Sequence, residues 1–211
     1  MKKILICDLD GTLIDSRKDI ATGVNLMRKE YGLGELSVEV ITDFVGNGAG
    51  KLVERSLKDT GINVDDALEI MKIKYEEHIC DDTFLYEGVE EGLKLLYDSN
   101  IPLAIVTNKP ESLTKVIVKE LKIDTYFSFI IGGDSVFPLK PDPAAIEFII
   151  KETGADKDNS WIIGDNYTDL AAGRNAGVQR CFAAYGFGHS KNEECDLKVE
   201  SFKEFINFLF S

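Results

Sequence analysis

Ile4-Leu5-Ile6-Cys7-Asp8-Leu9-Asp10-Gly11-Thr12 decides how this chain is read. The apolar run suits a strand buried on both faces, and it stops abruptly at two acids spaced two residues apart. Carboxylates about 4 Å apart repel by roughly 4 kcal/mol at an intermediate dielectric, so such a pair needs compensation. A bound cation would supply it. A turn in which one acid caps the next helix is the alternative, and this stretch alone leaves both open. An EF-hand loop does not fit, because its glycine belongs at the position of Leu13.

Similar apolar runs recur at Ile101 to Val106, Phe129 to Ile131, Trp161 to Ile163 and Cys181 to Tyr185. Helical patterns lie between and before them, at Val89 to Tyr97, Ser112 to Leu121, Ala144 to Lys151 and Thr168 to Asn175. Strand alternating with helix predicts an α/β fold, a parallel sheet covered on both sides by helices. The interval from Asp15 to about Leu85 breaks the rhythm. Ile20, Val24, Met27 and Tyr31 share one helical face there, and Leu68, Met71 and Tyr75 share another, with Ser16 as a candidate N-cap. This predicts a small helical insertion at 15–84, set into a core of 1–14 and 85–211; by itself it reads equally as a lid or an added packing layer.

Two further runs end in polar turns. Ile163-Gly164-Asp165-Asn166-Tyr167-Thr168-Asp169 again places acids after a buried strand, where ligands bind in open parallel sheets. Thr168 and Asp169 also read as ordinary helix-start residues. If the first strand stays central, Asp8, Asp10, Asp165 and Asp169 converge, and jointly they fit an oxygen-ligand site for Mg2+. Val106-Thr107-Asn108-Lys109-Pro110 supplies a hydroxyl, an amide and main-chain N–H groups able to hold phosphate oxygens, or simply a helix cap. In Leu139-Lys140-Pro141-Asp142-Pro143, Asp142 and Pro143 look like N-cap and N1, which sets Lys140 beside a rigid turn where it can offset the acids.

A formal net charge of -13 argues against nucleic acid or an anionic membrane as partner. Cys7, Cys80, Cys181 and Cys195 show no C-x-x-C spacing and read as reduced thiols of a cytoplasmic protein. With only His78 and His189, a Ser-His-Asp triad or a histidine metal site is improbable.

In order, DLDGT, TNKP, LKPDP and GDNYTD resemble the four motifs of the haloacid dehalogenase-like hydrolase superfamily over essentially the whole chain. Phe44-Val45-Gly46-Asn47-Gly48-Ala49, Leu52-Val53-Glu54-Arg55 and Ile131-Gly132-Gly133-Asp134 resemble its phosphoglycolate phosphatases. The resemblance implies a Mg2+-dependent phosphatase acting on a small phosphorylated metabolite, 2-phosphoglycolate foremost, with a Rossmann-like core, the helical insertion as cap and a monomer or weak homodimer as the assembly. It implies Asp8 as nucleophile, Asp10 as acid and base, and Thr107, Asn108 and Lys140 as phosphoryl-binding groups. It further implies metal ligation by Asp8, the Asp10 carbonyl, Asp165 and Asp169, and a cap specificity loop at Gly46, Asn47 and Gly48. The cycle needs Asp10 protonated at the outset, which neighbouring negative charge would favour. Lys51 or Arg55 is a candidate for a second anionic group of the substrate, unless they form a solvated face with Glu54. A phosphomutase or pyrophosphatase of the same superfamily and a non-catalytic phosphoryl-binding module are the competing readings.

Overall fold

Alternation within the first strand explains the two-sided core. In the computed structural model, which describes residues 2–211, β1 (Leu5–Cys7) is wholly buried. Successive side chains of a strand face opposite ways. Leu5 and Cys7 pack on one side of the sheet with Leu93, Ile117, Phe202 and Phe205, while Ile4 and Ile6 pack on the other with Ile146, Ile149 and Ala172. Those partners belong to α5 (Val89–Asp98), α6 (Glu111–Glu120) and α9 (Phe202–Leu209) on the first side, and to α7 (Ala144–Thr153) and α8 (Tyr167–Ala176) on the second. Each fully buried Leu, Ile or Phe contributes on the order of 1.5–3 kcal/mol.

The remaining strands of the main sheet are β4 (Leu103–Val106), β5 (Phe129–Ile131), β6 (Trp161–Gly164), β7 (Gln179–Ala183) and β8 (Leu197–Val199). All pairs are parallel in the order β5-β4-β1-β6-β7-β8. Leu5 registers with Leu103 on one side and Trp161 on the other, so β1 is central and the turns after β1, β4 and β6 open at one edge.

The insertion leaves and returns through a two-stranded ribbon, β2 (Ile14–Asp15) against β3 (Phe84–Leu85), with Asp15 opposite Phe84 and Ile14 opposite Leu85. Between them run α1 (Arg17–Glu30), α2 (Val38–Thr42), α3 (Ala49–Ser56) and α4 (Val64–Glu77). Ile20, Val24 and Met27 of α1 are buried, as are Met71 and Tyr75 of α4, whereas Tyr31 and Leu68 are half-buried. Gly23 permits the close approach of the two helices: a Cβ there would lie 2.8 Å from the Tyr75 Cβ.

Several local expectations shift. Ser16 precedes α1 without a side-chain cap bond to it, and its hydroxyl is aimed at Asp10, donating to Oδ1 at 2.5 Å. α8 is capped by Asn166 rather than Thr168, with Asp169 accepting from the Asn166 N–H to complete a capping box. The strand expected at Cys181 to Tyr185 starts two residues earlier, where Arg180 is anchored by Asp196. β8 and α9 were not anticipated: β8 is a three-residue edge strand, too short for a period to register.

Candidate active site

Asp8 follows β1 directly, and its N–H donates to the Ile163 carbonyl of β6, which ties the acid to the neighbouring strand end. Asp165 follows β6, and Asp169 lies one helical turn further on in α8. One carboxylate oxygen from each of Asp8, Asp165 and Asp169 falls within 4.8 Å of the other two, and all three residues are buried. Gly11 makes the approach possible: its φ is +84°, and a Cβ there would sit 1.9 Å from Asp165 Oδ2.

Lys140 answers this concentration of charge. Its Nζ lies 2.8 Å from Asp8 Oδ1 and 2.5 Å from Asp169 Oδ1, and it donates to the Val106 carbonyl at 2.6 Å. Burial alone would lower its pKa, but Asp169 and Asp8 outweigh that and raise it. Its main chain is clamped by Asn108, which accepts from Lys140 N at 2.8 Å and donates to Lys140 O at 3.0 Å.

One lysine does not neutralise three acids. Burial, then the charges of Asp8 and Asp169, push the Asp165 carboxyl well above the usual range, against the pull of the Gly188 and Phe187 N–H groups. Burial and Asp8 push Asp169 up to about 7 despite Lys140. Asp8 Oδ1, although beside Lys140, has no aligned hydrogen-bond donor. An all-oxygen set with excess negative charge and an unsatisfied acceptor is the environment a hard divalent cation fits.

Asp10 lies apart from that cluster. Its carboxylate accepts from Lys109 Nζ at 3.0 and 3.1 Å and from Ser16. The expected negative surroundings are therefore replaced by a buried cation, and every one of these contacts treats Asp10 as an acceptor. Lys109 also donates to the Tyr75 hydroxyl at 2.7 Å, with its Nζ 4.5 Å from the ring centre.

Thr107 is buried and lines the same small cavity, about 60 Å³, together with Asp8, Asp10, Asn108, Lys109 and Lys140. The main-chain N–H groups expected to be free at this turn are partly used: Thr107 N donates to Ile131 O and Lys109 N to Thr107 Oγ1. From the insertion, Gly46 and Gly48 reach the cavity wall. Gly46 O accepts from Asn108 Nδ2 at 3.0 Å, and its φ of +104° leaves no room for a side chain, since a Cβ would lie 2.5 Å from Asn166 Nδ2. Asn47 donates to the Tyr167 hydroxyl at 2.7 Å. Arg55 is spent on this loop, donating to Phe44 O and Asn47 Oδ1, both at 2.8 Å, and Lys51 pairs with Glu54 on the surface.

Sequence reasoning read Ser16 only as a helix cap and Tyr75 only as part of a helical face, and assigned nothing to Lys109 or to the Phe187 and Gly188 N–H groups that hold Asp165 Oδ2 at 3.0 and 2.7 Å. Lys109 stood inside a quoted motif and was detectable as a cation at a strand end. The main-chain donors carry no side-chain signal.

Residues 5–183 match the family described as haloacid dehalogenase-like hydrolase. A phosphoglycolate phosphatase of Pseudomonas fluorescens is 37% identical over 198 residues, covering 90% of this chain and 72% of that protein. One of Colwellia psychrerythraea is 35% identical over 199 residues, covering 90% and 88%. The crystal structure of a predicted phosphoglycolate phosphatase from Haemophilus somnus superposes with a TM-score of 0.90 at 28% identity, covering 98% and 97%. Strand order, the acids at the strand ends and this breadth of similarity agree: the chain belongs to the haloacid dehalogenase-like hydrolases.

Proposed function

We propose that this protein is a Mg2+-dependent phosphatase that hydrolyses a small phosphate monoester, most specifically 2-phosphoglycolate, through a phosphorylated Asp8. The observation that carries the reading is the meeting of Asp8, Asp165 and Asp169 around Lys140 at the end of the sheet. Similarity to phosphoglycolate phosphatases supports the substrate.

Asp8, the Asp10 carbonyl and Asp165 would hold Mg2+, with Asp169 acting through water because its two oxygens already accept from Lys140 and from Asn166 N. When bound, the ion neutralises charge on the acids and on the phosphoryl oxygens. A carboxylate oxygen of Asp8 attacks phosphorus and the ester P–O bond breaks. Asp10 gives a proton to the departing alkoxide, then takes one from the water that cleaves the aspartyl phosphate. Thr107 and Asn108 orient the phosphoryl oxygens, and Lys140 offsets their charge while fixing the nucleophile. The hydrogen bonds that Asp10 accepts from Lys109 and Ser16 suit the second half of this cycle, in which it acts as a base.

Phosphate release screened over phosphorylated metabolites with Mg2+ tests the activity. Turnover of 2-phosphoglycolate that disappears on chelation is expected. Transfer of the phosphoryl group to a sugar acceptor, with no free phosphate released, would instead identify a phosphomutase.

A further inference from the structure

Lys109 stands at the meeting of sheet and insertion, and the cycle above uses it only as a hydrogen-bond donor to Asp10. Three lysines line the cavity: Lys72, Lys109 and Lys140. Lys140 is committed to two carboxylates and a carbonyl. Lys72 pairs with Glu69 at 2.8 Å and is 35% exposed at the rim. Lys109 is buried, with its side chain 5% exposed, and faces one carboxylate, Asp10, and one phenol, Tyr75. The wall beyond it is apolar, formed by Ile20, Leu52, Met71 and Leu113. A substrate held by its phosphoryl group at Asp8 shares this cavity with a buried ammonium that has Asp10 and Tyr75 as partners and apolar side chains around it.

We propose that Lys109 is the specificity-determining residue for a second anionic group on the substrate, a carboxylate one or two carbons from the phosphoryl ester, and that Tyr75 is a positioning residue that aims Lys109 into the cavity. This rests on the phosphatase reading of the site. Ammonium in a dry pocket discriminates strongly between a carboxylate and a neutral group of equal size, because only the carboxylate replaces lost water with a charge-assisted bond. Tyr75 is set by the close packing of α4 against Gly23, and from there its hydroxyl accepts from Lys109, so the insertion itself helps place the cation.

The test compares 2-phosphoglycolate with 2-hydroxyethyl phosphate, its neutral counterpart, under Mg2+. In wild-type protein kcat/KM should favour the carboxylate. In Lys109→Met that preference should fall by about tenfold or more, chiefly through KM for 2-phosphoglycolate, and Lys109→Arg should restore part of it. Tyr75→Phe should lower it a few-fold, also through KM. An unchanged preference in Lys109→Met, or an equal loss of kcat on both esters with KM intact, overturns the proposal. Binding of 3-phosphonopropionate against propylphosphonate, measured by calorimetry on the same folded variants, reads the cation without turnover. If the wild-type protein hydrolyses neither ester, the phosphatase reading falls, while the two phosphonates still decide whether Lys109 selects the carboxylate.

Discussion

Replacing Lys140 by methionine isolates the electrostatic core of the site. The side chain is 3% exposed and contacts two buried carboxylates, so its removal leaves Asp8 and Asp169 unpaired. Breaking a buried ion pair by removing one partner costs about 3–5 kcal/mol. For 211 residues, at roughly 2.1 cal/mol/K of unfolding entropy per residue, that corresponds to a fall in Tm of about 7–11 °C near pH 8 with chelator present. The pH dependence has a definite sign. Asp169 sits at about 7 in the folded protein, against about 3.9 for an unfolded aspartate. The folded state therefore holds the extra proton, and stability declines as pH rises between those values. Without Lys140 the opposing positive charge is gone, and Asp169 keeps its proton to still higher pH. The deficit of Lys140→Met relative to wild type should thus be largest at about pH 8 and shrink towards about pH 5.5, where protons stand in for the ammonium. Scanning calorimetry of both proteins across that range gives the answer. A Tm loss below about 3 °C at pH 8, or a loss equal at both ends, would refute the charge argument.

Asp8→Asn should abolish steady-state phosphate release while leaving the circular dichroism spectrum unchanged; retained turnover would reject Asp8 as the attacking group. Gly46→Val, which forces a side chain against Asn166 from a backbone with φ of +104°, should disturb the Asn108 contact, raise KM several-fold and lower Tm by a few degrees, as read by kinetics and a melt. Arg180→Met removes the bidentate contact to Asp196, whose hydrogen bond from Arg180 holds that carboxyl below the usual range. Because the pair is partly exposed, a loss of only about 0.5–1 kcal/mol is expected at neutral pH, and urea melts should show it vanish as pH drops below the depressed pKa of Asp196.

Legibility in the sequence follows how local each cause is. The central strands were readable because burial on both faces demands unbroken apolar runs, and the four acidic or polar turns were readable because each follows such a run directly. The insertion announced itself through helical periodicity and ended where a two-residue ribbon, Asp15 opposite Phe84, closes it. β8 escaped because a strand of Leu-Lys-Val at an edge has one buried side chain and no period. Ser16 was read too simply for a related reason: composition identifies a hydroxyl before a helix, but only the folded chain shows that this hydroxyl is aimed at Asp10 and makes no bond to the first turn of α1.

The surroundings of Asp10 show the same limit more sharply. From sequence, an acid two residues from Asp8 and converging with Asp165 and Asp169 belongs in a negative environment. Strand geometry decides otherwise, since residues two apart share a face only while the strand continues, and the chain turns at Leu9: Thr12, Leu13 and Ile14 all donate their N–H groups to its carbonyl. That turn swings the Asp10 carboxylate onto Lys109, leaving one carboxylate to face Asp165 and Asp169 and the next to face the lysine that comes after β4. Two chemically identical side chains thus acquire different partners, Lys140 for Asp8 and Lys109 for Asp10, and with them the means to take different parts in one reaction.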